Sequence, residues 1–375
     1  MSVSAARINL DAIRANVSAL DSRAGTAQVM AVVKADGYGH GTLPAARAAL
    51  DGGATWLGVA MADEALELRA AGIDAPTLAW LLGPNDDWAA VARADVDLSV
   101  NAGWALDRVV AAARGLGRPV RIHLKVDTGL GRAGAQPHDW PALVDAAAKA
   151  QADGMVDVVG VWSHLAYADS PSHPTIEAQR LAFEAALEVV AATDLDPPLR
   201  HLANSAATLV LPATHYDLVR PGVAIYGLSP GPDVGTTADL GLIPAMTFTS
   251  QIALTKRVPG GHGVSYGHRY TTEEETTLAL VPLGYADGVP RHLTNVGAVA
   301  VNGRRYPIAG SVCMDQFVLD VGDDPITAGD DVVLFGPGTS GEPTATDWAD
   351  AMGTINYEIV TRVGARVPRI YEGER

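Results

Sequence analysis

Lys34 closes an apolar run in the segment VMAVVKADGYGHG. Such a run takes an ammonium out of water and lowers its pKa, and a neutral lysine amine attacks aldehydes. On position alone, the same lysine also fits a solvated or ion-paired strand end. Gly37, Gly39 and Gly41 permit a tight turn behind it, but their spacing is neither GxGxxG nor a phosphate-binding P-loop. Further polar residues close other apolar runs: Lys125 with Asp127, then His164, then Asn204 with Ser205, then Arg220. Ser205 offers a hydroxyl, and the backbone at Gly222 and Val223 offers N–H groups that an anion can approach closely. Read singly, Arg220 also fits a core ion pair and His164 a satisfied core histidine.

These residues need a scaffold that brings them to one place. Short apolar runs at 28–34, 56–60, 76–80, 97–100, 120–127, 155–164, 199–203 and 217–220 read as strands. Amphipathic segments lie between most of them, at 63–71, 102–114, 140–152 and 175–192, with apolar residues at i, i+3, i+4 spacing. Eight strand–helix units predict a parallel (β/α)8 barrel, a TIM-type barrel, with a doubly wound open sheet as the alternative. In a barrel, the C-terminal strand ends form the active face, and the loops after the last two strands are the common phosphate site. The polar residues above fall at those ends.

The texture changes after Tyr226. Segment 229–239 (SPGPDVGTTAD) reads as a linker, and the runs beyond it are strand-like and separated by turn residues. The predicted domains are a barrel over 10–232 and a mostly β domain over 240–375, leaving residues 1–9 to join the latter as a strand. A chain of 375 residues, 48% hydrophobic and 19% charged, holds enough apolar surface for two cores. The net charge of −16 disfavours nucleic acid and anionic membrane as partners, but not a small anion that meets local positive charge. With one cysteine, Cys313, no intrachain disulfide forms. The start, MSVSAARINLDAIRANV, has no apolar stretch behind a basic one, so no secretory signal and a cytoplasmic location are expected. The ten histidines show no metal-ligand spacing, so no metal is expected.

The motifs VVKADGYGHG, HLKVDTGLGRAG, SHLAYAD, HLANSAA, VRPGVAIYG, GVSYG, PLGYADGVPR, SVCMDQ and INYEIVTR follow one another in an order and spacing that resemble alanine racemases. The resemblance covers nearly the whole chain. It implies a pyridoxal 5′-phosphate (PLP) enzyme with an N-terminal barrel and a C-terminal β domain, working as a homodimer with shared active sites. It also implies racemisation of L- and D-alanine by a two-base mechanism, supplying D-alanine for peptidoglycan. Carried over, Lys34 holds PLP through its amine and is one base; Tyr266, from the partner subunit, is the other. Arg220 faces the pyridine nitrogen. Tyr38, Ser205, Gly222, Val223 and Tyr357 hold the phosphate, and His164 lies against the cofactor. Arg132 and the backbone N–H of Met314 hold the substrate carboxylate. Lys125 matches a lysine that is often carbamylated in the family. Tyr285 and Tyr357 line the entrance, with Asp127, Asn204, Cys313 and Asp315 in support.

The chemistry explains why such residues are needed. Racemisation removes an α-proton and returns one to the opposite face, so two bases must flank a planar carbon. A free phenol has a pKa near 10, so a basic Tyr266 needs it about 3 lower, roughly 4 kcal/mol. A Tyr266–His164–Arg220 chain would bring positive charge to the phenolate. Read alone, Tyr266 also fits a surface turn beside Gly267. Lys125 and Arg132 repel unless Lys125 becomes a carbamate anion or Asp127 neutralises it. Two other readings compete: another PLP barrel enzyme, either a decarboxylase or a racemase of broader specificity, and a PLP carrier without catalysis. Decarboxylases of the related barrel fold place a carboxylate at the pyridine nitrogen, where this chain has Arg220. Non-catalytic PLP carriers lack the second domain.

Overall fold

The computed structural model describes residues 3–373. Two compact units emerge. One comprises residues 13–37 and 42–242, and the other residues 3–12, 38–41 and 243–373.

The first unit is an eight-stranded parallel sheet wound into a barrel. Its strands are β2 (Gln28–Val32), β3 (Trp56–Val59), β4 (Thr77–Ala79), β5 (Asp97–Val100), β6 (Val120–Lys125), β7 (Val156–Trp162), β8 (Leu199–His201) and β9 (Leu218–Val219). They pair in the order β8-β7-β6-β5-β4-β3-β2-β9. The seam between β8 and β9 is drawn together by two backbone hydrogen bonds, Asp217 N–H to Arg200 O and Arg220 N–H to Ala203 O, each 3.0 Å. Helices Ala62–Ala70, Gly103–Leu116, Trp140–Ala152 and Thr175–Ala191 occupy the four segments with helical spacing. Most strands are buried on both faces, which is why they read as unbroken apolar runs.

Large side chains fill the barrel. Met30, Trp56, Leu78, Leu199 and Leu218 cluster there, with Trp80 packed against them. Glycines make room for two rings. A Cβ on Gly58 would come within 2.7 Å of Trp80, and one on Gly160 within 2.2 Å of His123. The β6–β7 register also slips between Ile122 and His123, so that His123 lies opposite Gly160. Just beyond β2 the chain winds the wrong way: Ala35, Asp36, Gly37 and Tyr38 all have φ between 53° and 57°. Left-handed helical backbone costs roughly 1–2 kcal/mol per residue with a side chain. Glu64 helps to hold the turn by accepting the Ala35 N–H at 2.6 Å.

The second unit is mostly β, and the amino-terminal strand belongs to it. Strand β1 (Ala5–Asn9) runs antiparallel to β10 (Met246–Gln251) and parallel to β19 (Arg369–Glu372). With β15 (Ala298–Val301), β16 (Arg304–Pro307) and β18 (Asp331–Phe335) they form a six-stranded sheet. A second sheet joins β11 (Leu254–Val258), β14 (Thr276–Val281) and β17 (Phe317–Gly322), and β12 (Gly263–Val264) pairs with β13 (Tyr270–Thr271). The run 246–258, continuous in sequence, is two strands. The chain changes sheets at Ile252 and Ala253, whose N–H groups reach Asp330 O and Leu280 O.

Two segments differ from the sequence expectation. Residues 38–41, expected inside an unbroken barrel domain, group with the β unit. There Gly39 lies so close to the Val360 carbonyl that a Cβ would come within 2.4 Å, and Arg369 Nε donates to Gly39 O at 3.1 Å. Segment 229–239, expected as a linker, is folded into the barrel unit. Ser229 Oγ bridges the Gly231 and Gly235 carbonyls around a short 3-10 turn, Pro232–Val234.

Candidate active site

At the C-terminal ends of the barrel strands, four cations converge in a chain of net charge −16. Lys125 ends β6, Lys34 lies two residues beyond β2, and Arg220 lies one beyond β9. Arg132 comes from the loop after β6. Their mutual repulsion registers on the amines. Burial pulls the Lys34 amine below its ordinary range, and Arg132 lowers it further while Glu64 partly restores it. Burial, Arg220 and Arg132 bring Lys125 down to about 7. Lys125 Nζ sits 4.0 Å from the centre of the Trp162 ring.

Arg220 is buried at 4% exposure, and burial pushes its guanidinium down to about 9, still charged at neutral pH. It makes no ion pair among the described residues, so a core carboxylate is not its partner. Nη2 donates to Ser163 O at 2.7 Å and Leu202 O at 3.2 Å, and lies 3.3 Å from His164 Nδ1. Nη1 lies 3.2 Å from His201 Nδ1. The guanidinium also stands over the Trp162 ring, 4.8 Å from its centre. His164 is held well below its usual pKa by burial and by Arg220, Arg132, Lys125 and Lys34. A neutral His164 accepting from Arg220 on Nδ1 carries its proton on Nε2.

The loops after β8 and β9 meet at Ser205. Its Oγ accepts N–H groups from Gly222 at 2.8 Å and Ala224 at 3.3 Å, leaving its own O–H to donate. The Gly222 N–H is thus engaged with the hydroxyl. Asn204 caps the short helix Ser205–Val210 by accepting the Ala207 N–H. Asp127 does not neutralise Lys125 by an ion pair. Its two oxygens take the N–H groups of Gly129, Leu130 and Gly131 and the Gln136 amide, and so fix the loop that carries Arg132. Arg132 is exposed and forms no ion pair among the described residues.

The remaining expected site residues lie in the β unit. Tyr266 is 75% exposed on the turn Tyr266–His268, behind Ser265 at φ 61°. Ser311 Oγ holds the Tyr266 carbonyl at 2.8 Å, and Ser265 Oγ reaches Ser311 O at 2.7 Å and Cys313 Sγ at 3.2 Å. Cys313 is therefore part of the brace behind Tyr266. Met314 and Tyr285 are exposed, and Asp315 pairs with Arg366, which also pairs with buried Asp287. Tyr38 and Tyr357 face each other with ring centres 6.2 Å apart.

Some contributors went unnoticed in the sequence. Trp162 underlies both Lys125 and Arg220. Gln179, fully buried, bonds Thr128, the His164 carbonyl and the Ala166 N–H, tying the loops after β6 and β7 together. His201 sits in a quoted motif, yet its contact with Arg220 has no linear signature.

A lysine amine of lowered pKa, a buried guanidinium and a hydroxyl ringed by N–H groups suit an aldehyde that also bears a phosphate and an aromatic nitrogen. PLP has that donor and acceptor set, so the residues fit it. Among the described residues, no three His, Cys, Asp or Glu side chains gather as a metal site, and no helix is long and apolar enough to cross a membrane. The fold and this site define a TIM-type barrel enzyme with an appended β domain and a cation-lined mouth.

Comparison with known proteins makes the class specific. The alanine racemase N-terminal domain pattern matches residues 8–230, and the C-terminal domain pattern matches 245–371. An alanine racemase of Frankia casuarinae is 65% identical over 368 residues, covering 98% of this chain and 96% of that one. One from Salinispora arenicola is 60% identical, covering 98% of each. The crystal structure of alanine racemase from D-cycloserine-producing Streptomyces lavendulae superposes with a TM-score of 0.99 at 56% identity, covering 100% of this chain and 98% of that one. The Bacillus anthracis alanine racemase structure with bound L-Ala-P gives 0.90 at 36% identity, covering 99% and 95%. The chain belongs to the alanine racemase family and is an amino-acid racemase.

Proposed function

We propose that this protein interconverts L- and D-alanine in the cytoplasm as a PLP-dependent homodimer, providing D-alanine for peptidoglycan. The observation that carries the reading is the convergence of Lys34, Lys125, Arg132 and Arg220 at one end of the barrel of an acidic chain. Such a mouth suits a ligand set with two anionic groups, a phosphate and a carboxylate.

PLP, when bound, supplies an electron sink for the substrate α-carbon. The chain supplies position and charge. Lys34 holds the cofactor, and burial, which disfavours its charged form, suits its amine to proton transfer on one face of the substrate. Tyr266 of the partner subunit takes or gives the proton on the other face. His164, neutral and beside Arg220, is the group we assign to hydrogen-bond the oxygen of that tyrosine through its Nε2–H.

Arg220 is anchored to the barrel through Nη1 and Nη2, each with an acceptor there, and we assign its Nε–H as the donor to the pyridine nitrogen. Arginine gives up a proton reluctantly, so that nitrogen stays unprotonated and the sink stays weak. A weak sink favours rapid return of the proton to the substrate carbon. Ser205, Gly222, Val223, Tyr38 and Tyr357 are assigned to the phosphate. Arg132 and the Met314 N–H of the partner subunit hold the carboxylate, and Tyr285 and Tyr357 line the entrance. Lys125, near half neutral at pH 7, can add carbon dioxide with loss of a proton, giving an anion that holds Arg132.

The test is direct. The purified chain is loaded with PLP, its visible absorbance is recorded, and L-alanine, L-serine and L-lysine are followed in parallel by optical rotation. Loss of rotation with L-alanine alone supports the reading. Equal rates on all three replace it with a broad racemase, and no visible band with an unchanged rotation overturns it.

A further inference from the structure

A line of polar side chains runs through the barrel interior, and the proposed chemistry uses only its first member. From Arg220 Nη1 it passes to His201 Nδ1 at 3.2 Å. His201 Nε2 lies 2.9 Å from His123 Nδ1, and His123 Nε2 lies 3.2 Å from Asp97 Oδ2. Arg121 Nε closes the line at 2.7 Å from Asp97 Oδ1. Asp97, His123 and His201 are all 0% exposed. The far end borders a cavity of about 420 Å³ at the N-terminal strand ends, lined by Gln28, Trp56, Asp97, Arg121 and Leu199 among others. The line thus crosses from one end of the barrel to the other.

The fold is shaped around it. Gly160 has no Cβ where one would strike His123, and the strand register slips at that residue. Trp162 stacks on His201 with planes 4° apart, and Trp56 meets His123 edge-on. Burying four hydrogen-bonding groups costs free energy unless every one is paired, and here every one is.

The two ends fix the protons between them. Arginine only donates, and an ionised carboxylate only accepts. Three hydrogen bonds connect them, and Arg220 supplies the proton for the first. The other two protons must come from the imidazoles, one each. A single arrangement avoids a donor facing a donor: both rings are neutral, with the proton on Nε2. His201 then presents a bare Nδ1 to Arg220. A protonated His123, or either ring protonated on Nδ1, would set N–H against N–H somewhere along the line.

We infer that Asp97, at the opposite end of the barrel from the reacting atoms, is a positioning residue that fixes the acceptor facing Arg220 by setting the proton position on His123 and His201. The inference rests on the reading of Arg220 as the partner of the pyridine nitrogen. In Asp97→Asn, the amide oxygen stays with Arg121 and the amide N–H turns to His123. His123 must then accept on Nε2 and carry its proton on Nδ1. His201 follows, and its Nδ1–H meets Arg220, whose hold on the pyridine nitrogen is lost.

The experiment is nitrogen-15 NMR of the imidazoles in the full-length chain without cofactor, with the two rings assigned by substitution. Both rings are expected as neutral Nε2–H forms in the unsubstituted chain, and both as Nδ1–H forms in Asp97→Asn. With PLP and L-alanine, Asp97→Asn should raise the ratio of pyruvate released to alanine racemised by about tenfold. In that side reaction the amino group of alanine exchanges with the aldehyde oxygen of the cofactor, releasing pyruvate and leaving the cofactor as its amine. A ring protonated on Nδ1, or on both nitrogens, in the unsubstituted chain overturns the inference. So does an Asp97→Asn chain with unchanged rings or an unchanged ratio. If Asp97→Asn does not fold, the unsubstituted rings alone decide. Because the ring measurement needs no cofactor, it stands even if the chain fails to take up PLP, a failure that counts against the functional reading.

Discussion

Lys125 is the residue whose charge the fold disturbs most usefully. Its folded pKa of about 7 lies below the unfolded value near 10.4. The folded chain therefore binds fewer protons across that window, and its contribution to stability rises as pH climbs from 7 to 10.4. Lys125→Met removes the penalty, so the cofactor-free variant should be the more stable at pH 6, with the gap closing by pH 10. Urea midpoints at pH 6, 8 and 10 measure it, and a constant gap would refute the charge argument. Bicarbonate at pH 8 should stabilise the natural chain by about 1–3 kcal/mol through a new charge-assisted pair with Arg132, and leave Lys125→Met unmoved. Tyr266→Phe should keep the visible absorbance of bound PLP and lose at least about 100-fold in racemisation of L-alanine. Single residues such as Lys34 and Arg220 were legible because each ends an apolar run within a motif. Asp97 and His123 were not, although His123 stands two places before Lys125 on a strand and so shares its face. What hid them was that their partners lie on other strands.

At the scale of elements, alternation and apolar runs gave every barrel strand, because parallel strands buried on both faces leave a strong trace in one dimension. The slip beside His123 left none, since a bulge is decided by what must fit across two strands. Gly160 shows the consequence. Gly160→Ala should cost about 1–3 kcal/mol by forcing the His123 ring aside, read as a lower urea midpoint. Gly115→Ala is the control: it lies in helix Gly103–Leu116, and its Cβ would meet nothing within 4 Å. That change should gain about 0.5–1 kcal/mol by helix propensity alone. Equal effects at both sites would mean that the barrel has slack around His123. The left-handed turn after Lys34 was only half legible. Its glycines suggested a tight bend, but Ala35 carries no signal for positive φ and Asp36 only a weak one; Glu64 helps to hold the turn from another element.

At the scale of the molecule, the proposed bases lie on separate compact units, Lys34 on the barrel and Tyr266 on the β unit. If the active site joins two subunits, Lys34→Ala and Tyr266→Phe chains are each inactive alone. Unfolding and refolding them together should restore activity. Random pairing yields half mixed dimers, each with one intact site, so about a quarter of full activity is expected. A mixture that stays inactive would place both bases in one chain. The division into units was legible as a change of texture near residue 230, but the return of 38–41 to the β unit was not, because it depends on Val360 and Arg369 far along the chain.

The backward coil at residues 35–38 carries one more implication. Ribosomes supply only L-amino acids, and these resist that winding. A chain assembled by chemical ligation with a D-alanyl unit at position 35 should melt higher than the biosynthetic one, by about 1–2 kcal/mol of relieved strain. Beside the lysine proposed to tell two mirror forms apart, the backbone itself would be more comfortable with the opposite hand.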